Sequence, residues 1–95
     1  MSDRTLATWI ESRRPPVPAA FEPFVRPRRP EAPASVAALV EEARQRLAAM
    51  EGAELREGAF HLLAADGFVT WACERALAED DPSEALRGVL DTLIE

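Results

Sequence analysis

The chain is poor in the residues that support most kinds of site chemistry. It has one cysteine, one histidine and no tyrosine or lysine in 95 residues. A lone cysteine cannot form an internal disulfide, and one cysteine with one histidine cannot complete a structural zinc site. A phosphate-binding glycine loop and a serine-elbow motif are also missing. These absences favour a non-catalytic protein that uses no cofactor and no metal.

Long apolar runs are missing as well. No stretch approaches the roughly 18 apolar residues that a membrane span needs. The first residues, MSDRTLATWIESRR, have polar breaks where a signal peptide would need an unbroken apolar region. Together with the single cysteine, this predicts a cytoplasmic protein that does not bind membranes. The eighteen alanines and the exclusive use of arginine as the basic residue are typical of GC-rich bacterial coding sequences.

Charge is distributed unevenly along the chain. Residues 1–34 hold six arginines against four acids, a balance of +2, whereas residues 35–95 hold five arginines against thirteen acids, a balance of −8. A body this acidic repels phosphate backbones. The most basic stretch, VRPRRP, contains too much proline to form a recognition helix. The sequence therefore predicts a protein that does not bind nucleic acid.

Three segments have the apolar spacing of helices, and no segment has the alternation of a strand. The first is residues 35–51, with Ser35 as N-cap and Gly52 just after the end. Its apolar stripe consists of Val36, Leu39, Val40, Ala43, Leu47 and Met50, and its polar side of Glu41, Glu42, Arg44 and Arg46. The second runs from about Glu54 to Glu79. The third begins after Asp81 as N-cap. Its apolar stripe consists of Leu86, Val89, Leu90, Leu93 and Ile94.

The first third of the chain is different. Ser2 or Asp3 can cap a short helix that presents Leu6, Trp9 and Ile10 on one side and ends before Pro15. Residues 15–33 then contain seven of the eight prolines, which predicts extended chain. Apolar anchors interrupt this arm, so we expect it to wrap over the helical core or to order on a partner. The anchors are Val17, Phe21, Phe24 and Val25.

These segments predict an all-α fold, a small helical bundle. Residues 1–14 form a docking helix, residues 15–34 a proline- and arginine-rich arm, and residues 35–95 a three-helix core.

The central helix contains the sequence HLLAADGFVTWACE, residues 61–74. Because the apolar spacing stays in phase across Asp66–Gly67, we expect the helix to continue through this pair. Gly67 should then allow close approach of another backbone or of a ring such as Trp9 or Phe21. Asp66 should be partly buried and paired with an arginine of the arm.

His61 and Cys73 resemble a nucleophile and its base, but helical geometry separates them. Twelve residues of helix place them about 18 Å apart along the axis. His61 and Glu57, four residues apart, can instead contact each other. Cys73 is expected to be a small buried apolar residue.

The apolar arc of the central helix spans about 200°, twice the width typical of a surface helix. It must be covered on two sides, by the rest of the chain or by a second copy. The candidate interaction residues are Trp9, Phe21, Phe24, Phe60, Phe68, Trp71 and Asp66, with Arg26, Arg28 and Arg29 of the arm.

Three functions fit this pattern. The first is a small protein–protein interaction or assembly protein, with a protein partner or a second copy of itself. The second is a helical bundle or small enzyme that binds a small ligand. The third is a regulator of the antitoxin or anti-sigma type, whose acidic body masks a basic partner.

Overall fold

The computed structural model describes residues 4–94 and confirms the predicted all-α bundle. Four α-helices and one 3-10 helix follow one another in these residues. They are α1 (Leu6–Glu11), the 3-10 helix (Ala19–Val25), α2 (Val36–Met50), α3 (Leu55–Ala76) and α4 (Pro82–Leu93). Among the pairs of elements, α2 and α3 make the most extensive contact, and α4 packs against both.

Helix α1 begins later than the sequence predicts. The proposed caps Ser2 and Asp3 lie outside the described residues, and Thr5 is the N-cap, its hydroxyl accepting from the backbone N–H of Thr8 at 3.2 Å. The helix has only six residues, so it depends on packing for stability. It buries Leu6 and Trp9 against the core.

The prediction of extended chain for residues 15–33 is wrong for one segment of the proline arm. Residues Ala19–Val25 form a 3-10 helix that includes Pro23. The φ that proline imposes is close to that of a 3-10 helix, and short turns of this kind need few N–H donors. The turn places Phe21 and Phe24 against the core and buries Val25 completely within it.

Both ends of α2 match the sequence prediction. The Ser35 hydroxyl caps the helix by accepting from the backbone N–H of Ala38 at 3.1 Å. Gly52, just after the end, has a φ of +81°, a conformation that favours glycine. The predicted apolar stripe is only partly correct, because Leu47 is exposed whereas Leu39 and Ala43 are fully buried.

Helix α3 runs without interruption through Asp66–Gly67, as predicted. The predicted reason for the glycine is wrong. Among the described residues, no atom outside the helix lies within 4 Å of the position that a Gly67 Cβ would occupy. Neither Trp9 nor Phe21 is close to it, so Gly67 leaves a small gap in the helix surface.

Helix α4 begins as predicted, with the Asp81 carboxylate accepting from the backbone N–H of Glu84 at 3.1 Å. Its apolar stripe is buried only in part. Val89 is fully buried, whereas Leu90 and Ile94 are exposed. The helix is therefore packed on one edge of its apolar stripe and uncovered on the other.

Two glycine-to-alanine substitutions should have opposite effects on stability. We expect Gly67→Ala to raise the free energy of unfolding by about 0.5–1 kcal/mol, because alanine is the better helix former and nothing obstructs its methyl group. Gly52→Ala should lower it by about 1–2 kcal/mol, because Gly52 has a left-handed conformation. Urea unfolding monitored by circular dichroism measures both changes. A destabilised Gly67→Ala variant would contradict the open environment of this position.

Candidate functional site

A buried ion pair lies where the sequence predicts the polar side of α2. Glu42 and Arg46, at i and i+4, are only 4% and 7% exposed. The Nη1 atom of Arg46 lies 2.6 Å from the Oε1 atom of Glu42. The expectation that these two residues face solvent is wrong, because the proline arm covers this side of the helix.

Backbone groups of the arm satisfy the remaining hydrogen-bonding capacity of Glu42. The backbone N–H of Arg28 donates to both carboxylate oxygens, at 3.0 and 3.2 Å, and the N–H of Arg29 donates at 3.4 Å. The carboxylate therefore binds three partners, two of them from the arm. A buried carboxylate is tolerated only when it is paired and hydrogen-bonded in this way.

Arg46 donates hydrogen bonds to carbonyl oxygens of the arm, whereas Glu42 accepts hydrogen bonds from its N–H groups. Its Nε donates to the carbonyl oxygen of Phe24 at 3.0 Å, and its Nη2 donates to the carbonyl oxygen of Arg26 at 2.5 Å. The guanidinium carbon also lies 4.8 Å from the centre of the Phe68 ring. The ion pair thus binds donors and acceptors of residues 24–29 and connects them to the core aromatic residue of α3.

Two aromatic clusters fasten the first third of the chain to α3. In the first, Phe60 of α3 stacks on Phe24 with ring centres 4.9 Å apart, and Phe21 lies 6.2 Å from Phe60. The rings of His61 and Phe24 are in edge-to-face contact, with their centres 5.5 Å apart. This cluster holds the 3-10 helix of the arm.

The second cluster holds α1. Trp71 makes edge-to-face contacts with Trp9 at 6.4 Å and with Phe68 at 5.3 Å. The guanidinium of Arg13 covers the outer face of Trp9 at 3.8 Å and lies 4.0 Å from the Glu74 carboxylate. All six aromatic residues proposed as interaction residues therefore make contacts within the chain.

The end of the arm joins α1 through backbone hydrogen bonds. The N–H of Leu6 donates to Ala32 at 2.7 Å, and the N–H of Ala7 donates to Pro30 at 3.1 Å. These bonds satisfy two donors at the start of α1 that have no partner within the helix. Arg75 of α3 donates to the carbonyl of Ala34 at 3.1 Å and holds the last residue of the arm.

The prediction that Asp66 pairs with an arginine of the arm is wrong. Asp66 is exposed, and no arginine within residues 4–94 forms an ion pair with it. Arg26, Arg28 and Arg29 lie at the α2 side, where their backbone groups bind Glu42 and Arg46. The sequence reasoning paired the wrong groups, because it considered the arginine side chains and not the peptide groups between the prolines.

His61 and Cys73 occupy separate places on α3. His61 Nε2 lies 4.0 Å from a Glu57 carboxylate oxygen, as the i, i+4 spacing predicts. Cys73 is a partly exposed free thiol rather than a buried one. Within residues 4–94, no three histidine, cysteine, aspartate or glutamate side chains come together as possible metal ligands. None of the helices in this range is long and apolar enough to cross a bilayer.

The surface formed by α3 and α4 keeps several large apolar side chains in contact with solvent. We call this the outer face and define it by exposed residues of α3, α4 and their C-caps. They are Leu62, Leu63, Leu77, Leu90 and Ile94. The aromatic clusters therefore cover one side of α3. Of the residues in the predicted apolar arc, Leu62 is exposed, whereas Leu63 and Leu77 lie on the polar side of the predicted helix.

Sequence reasoning missed Glu42 and Arg46 as the centre of the arm-binding site. Their i, i+4 spacing is visible in the sequence, but the same spacing is common on solvated helices. The distinguishing signal was the arm itself, which has apolar anchors directly before a Pro–Arg segment and needs polar partners for its peptide groups.

Removing the buried carboxylate should detach the arm. We expect Glu42→Ala to lower the free energy of unfolding by about 3–5 kcal/mol, because Arg46 loses its counter-charge and the arm loses its acceptors. Glu41→Ala, one residue away and exposed, is the control and should change it by less than about 0.5 kcal/mol. Chemical unfolding measures both variants. Equal effects would contradict the role of the ion pair.

No protein-family model, curated protein or solved structure matches this chain, so its function is inferred from its own geometry.

Proposed function

We propose that this chain is a small, non-catalytic protein–protein interaction module that associates with a second copy of itself through the outer face. The observation that carries the proposal is the exposure of large apolar side chains after the arm and α1 have packed. Leu77 and Leu90 are 63% and 62% exposed, and Ile94 is 80% exposed. Exposed large apolar side chains of this kind are typical of interaction sites.

The spacing along α3 supports one common face. At 100° per residue, Leu62 and Leu77 point in directions about 60° apart, and Leu62 points about 120° away from the buried Phe68. Helix α4 follows α3 after a short connection and packs against it, and it adds Leu90 and Ile94 to the exposed apolar side chains. We propose that the apolar side chains of the two helices act as one surface.

The energetics favour a second copy as the occupant. Each leucine that becomes buried contributes roughly 1.5–3 kcal/mol, whereas association costs an estimated 4–15 kcal/mol or more. A symmetric dimer buries the same face on both subunits, so each side chain contributes its free energy of burial twice. Even partial burial of the outer face then exceeds the lower estimates of the cost.

Charge supports a second candidate function, the binding of a basic partner. Acidic side chains are exposed beside Leu77 and along α4. They are Glu74, Glu79, Asp80, Asp81, Glu84 and Asp91. Complementary charge would steer a basic protein to this face. Salt separates the two candidates, because screening weakens charge-dependent binding and leaves apolar self-association intact.

Self-association can be tested by sedimentation equilibrium on the intact chain. We expect the wild-type chain to be a dimer and Leu77→Ser/Leu90→Ser to be monomeric, because the double substitution removes one apolar side chain from each helix of the outer face. Leu47→Ser is the control. Leu47 is also exposed, at 39%, but lies on α2, which contributes no residue to the outer face.

Both variants should keep their helical circular dichroism, since exposed leucines contribute little to folding. A wild-type chain that remains monomeric would contradict self-association. A dimer that both variants weaken equally would contradict the outer face as its site.

A further inference from the structure

An open groove of about 540 Å³ lies between the proline arm, α2 and α3. Its size falls within the range of small-molecule sites. The arm contributes Phe24 and Arg28, α2 contributes Gln45, Ala48 and Ala49, and α3 contributes His61. No carboxylate of residues 4–94 lines the groove, although the chain as a whole has a net charge of −6.

Arg28 supplies a positioned and uncompensated positive charge. Its guanidinium donates to the side-chain oxygen of Gln45. The side-chain nitrogen of Gln45 donates in turn to a carboxylate oxygen of Glu41 at 2.8 Å. Among the described residues, no carboxylate forms an ion pair with Arg28. The other arginine of the groove, Arg46, is neutralised by Glu42. The groove therefore presents one guanidinium, and its remaining donors are free to bind a planar anion.

His61 adds a polar group without a hydrogen bond. Its Nδ1 is shielded from solvent and has no hydrogen-bond partner among residues 4–94. Its Nε2 lies 4.0 Å from Glu57, too far for a hydrogen bond. The ring packs edge-on against Phe24 and forms the wall of the groove contributed by α3. It is also the only histidine in the chain, so its NMR signals report on this groove alone.

The rest of the lining is apolar. The Phe24 ring and the side chains of Pro23, Ala48 and Ala49 provide this apolar lining. We infer that the groove is a binding site for a small monocarboxylate with a flat apolar body, with the carboxylate on Arg28 and the body against Phe24 and the two alanines. A single guanidinium beside apolar surface fits one carboxylate, and the acidic body disfavours anions of higher charge. This site is independent of the proposed self-association.

The test uses the intact chain and phenylacetate as the probe. We expect phenylacetate to shift the His61 Cε1–H resonance saturably, with a dissociation constant of about 1 mM at constant pH and ionic strength. The neutral analogue phenylacetamide and inorganic phosphate should each bind at least about tenfold more weakly, because one lacks the charge and the other the apolar body.

Arg28→Gln should weaken the binding of phenylacetate by about tenfold, because it removes the positive charge and keeps the backbone N–H that binds Glu42. Arg29→Gln is the control. It makes the same change of charge at the next residue, which does not line the groove, and should alter the constant less than twofold. Gln45→Ala tests the positioning of Arg28 and should also weaken binding.

Three results would overturn the inference. They are a shift that stays linear with phenylacetate concentration, equal binding of the charged and neutral probes, and equal effects of Arg28→Gln and Arg29→Gln. Circular dichroism of the variants verifies that each one is folded, and the outcome does not depend on whether the chain forms dimers.

Discussion

The ion pair between Glu42 and Arg46 is the interaction on which the rest of the structure depends. A carboxylate and a guanidinium withdrawn from water are costly unless their hydrogen-bonding groups are satisfied. Here the partners are peptide groups of residues 24–29, at and just after the end of the 3-10 helix. The ion pair and the arm therefore stabilise each other. The arm keeps the charges satisfied, and the charges hold a proline-rich segment in one conformation.

The arrangement also explains how a chain of 95 residues forms a sufficient core. Many of the buried positions of α2 and α3 are alanine, which brings the helices close together but buries little apolar area. The large side chains of the first third of the chain compensate for this. Trp9 and Val25 enter the core, and Phe21 and Phe24 pack at its margin. The side of α3 that faces them is thereby covered, whereas the side that faces away keeps its leucines exposed.

The sequence was sufficient to predict the helices, because their caps and spacing are local properties. Ser35, Gly52 and Asp81 act as predicted, and α3 continues through Gly67. The contacts between segments could not be predicted in the same way. Whether Glu42 is solvated or buried depends on where the arm lies, and the arm is held by backbone groups that are the same in every sequence. The aromatic anchors were visible as apolar residues in a proline-rich segment, but their partner Phe60 was one of several apolar residues on a wide arc.

Recognition of the arm through its main chain has a consequence for how the molecule can change. Arg26, Arg28 and Arg29 all have exposed side chains, while their peptide groups make the bonds that hold the fold. Substitution at these positions can alter the charge and shape of the surface without altering the polar contacts beneath it. Conformation and surface chemistry are thus encoded by different atoms of the same residues, and a new specificity at the groove requires no new way of folding the arm.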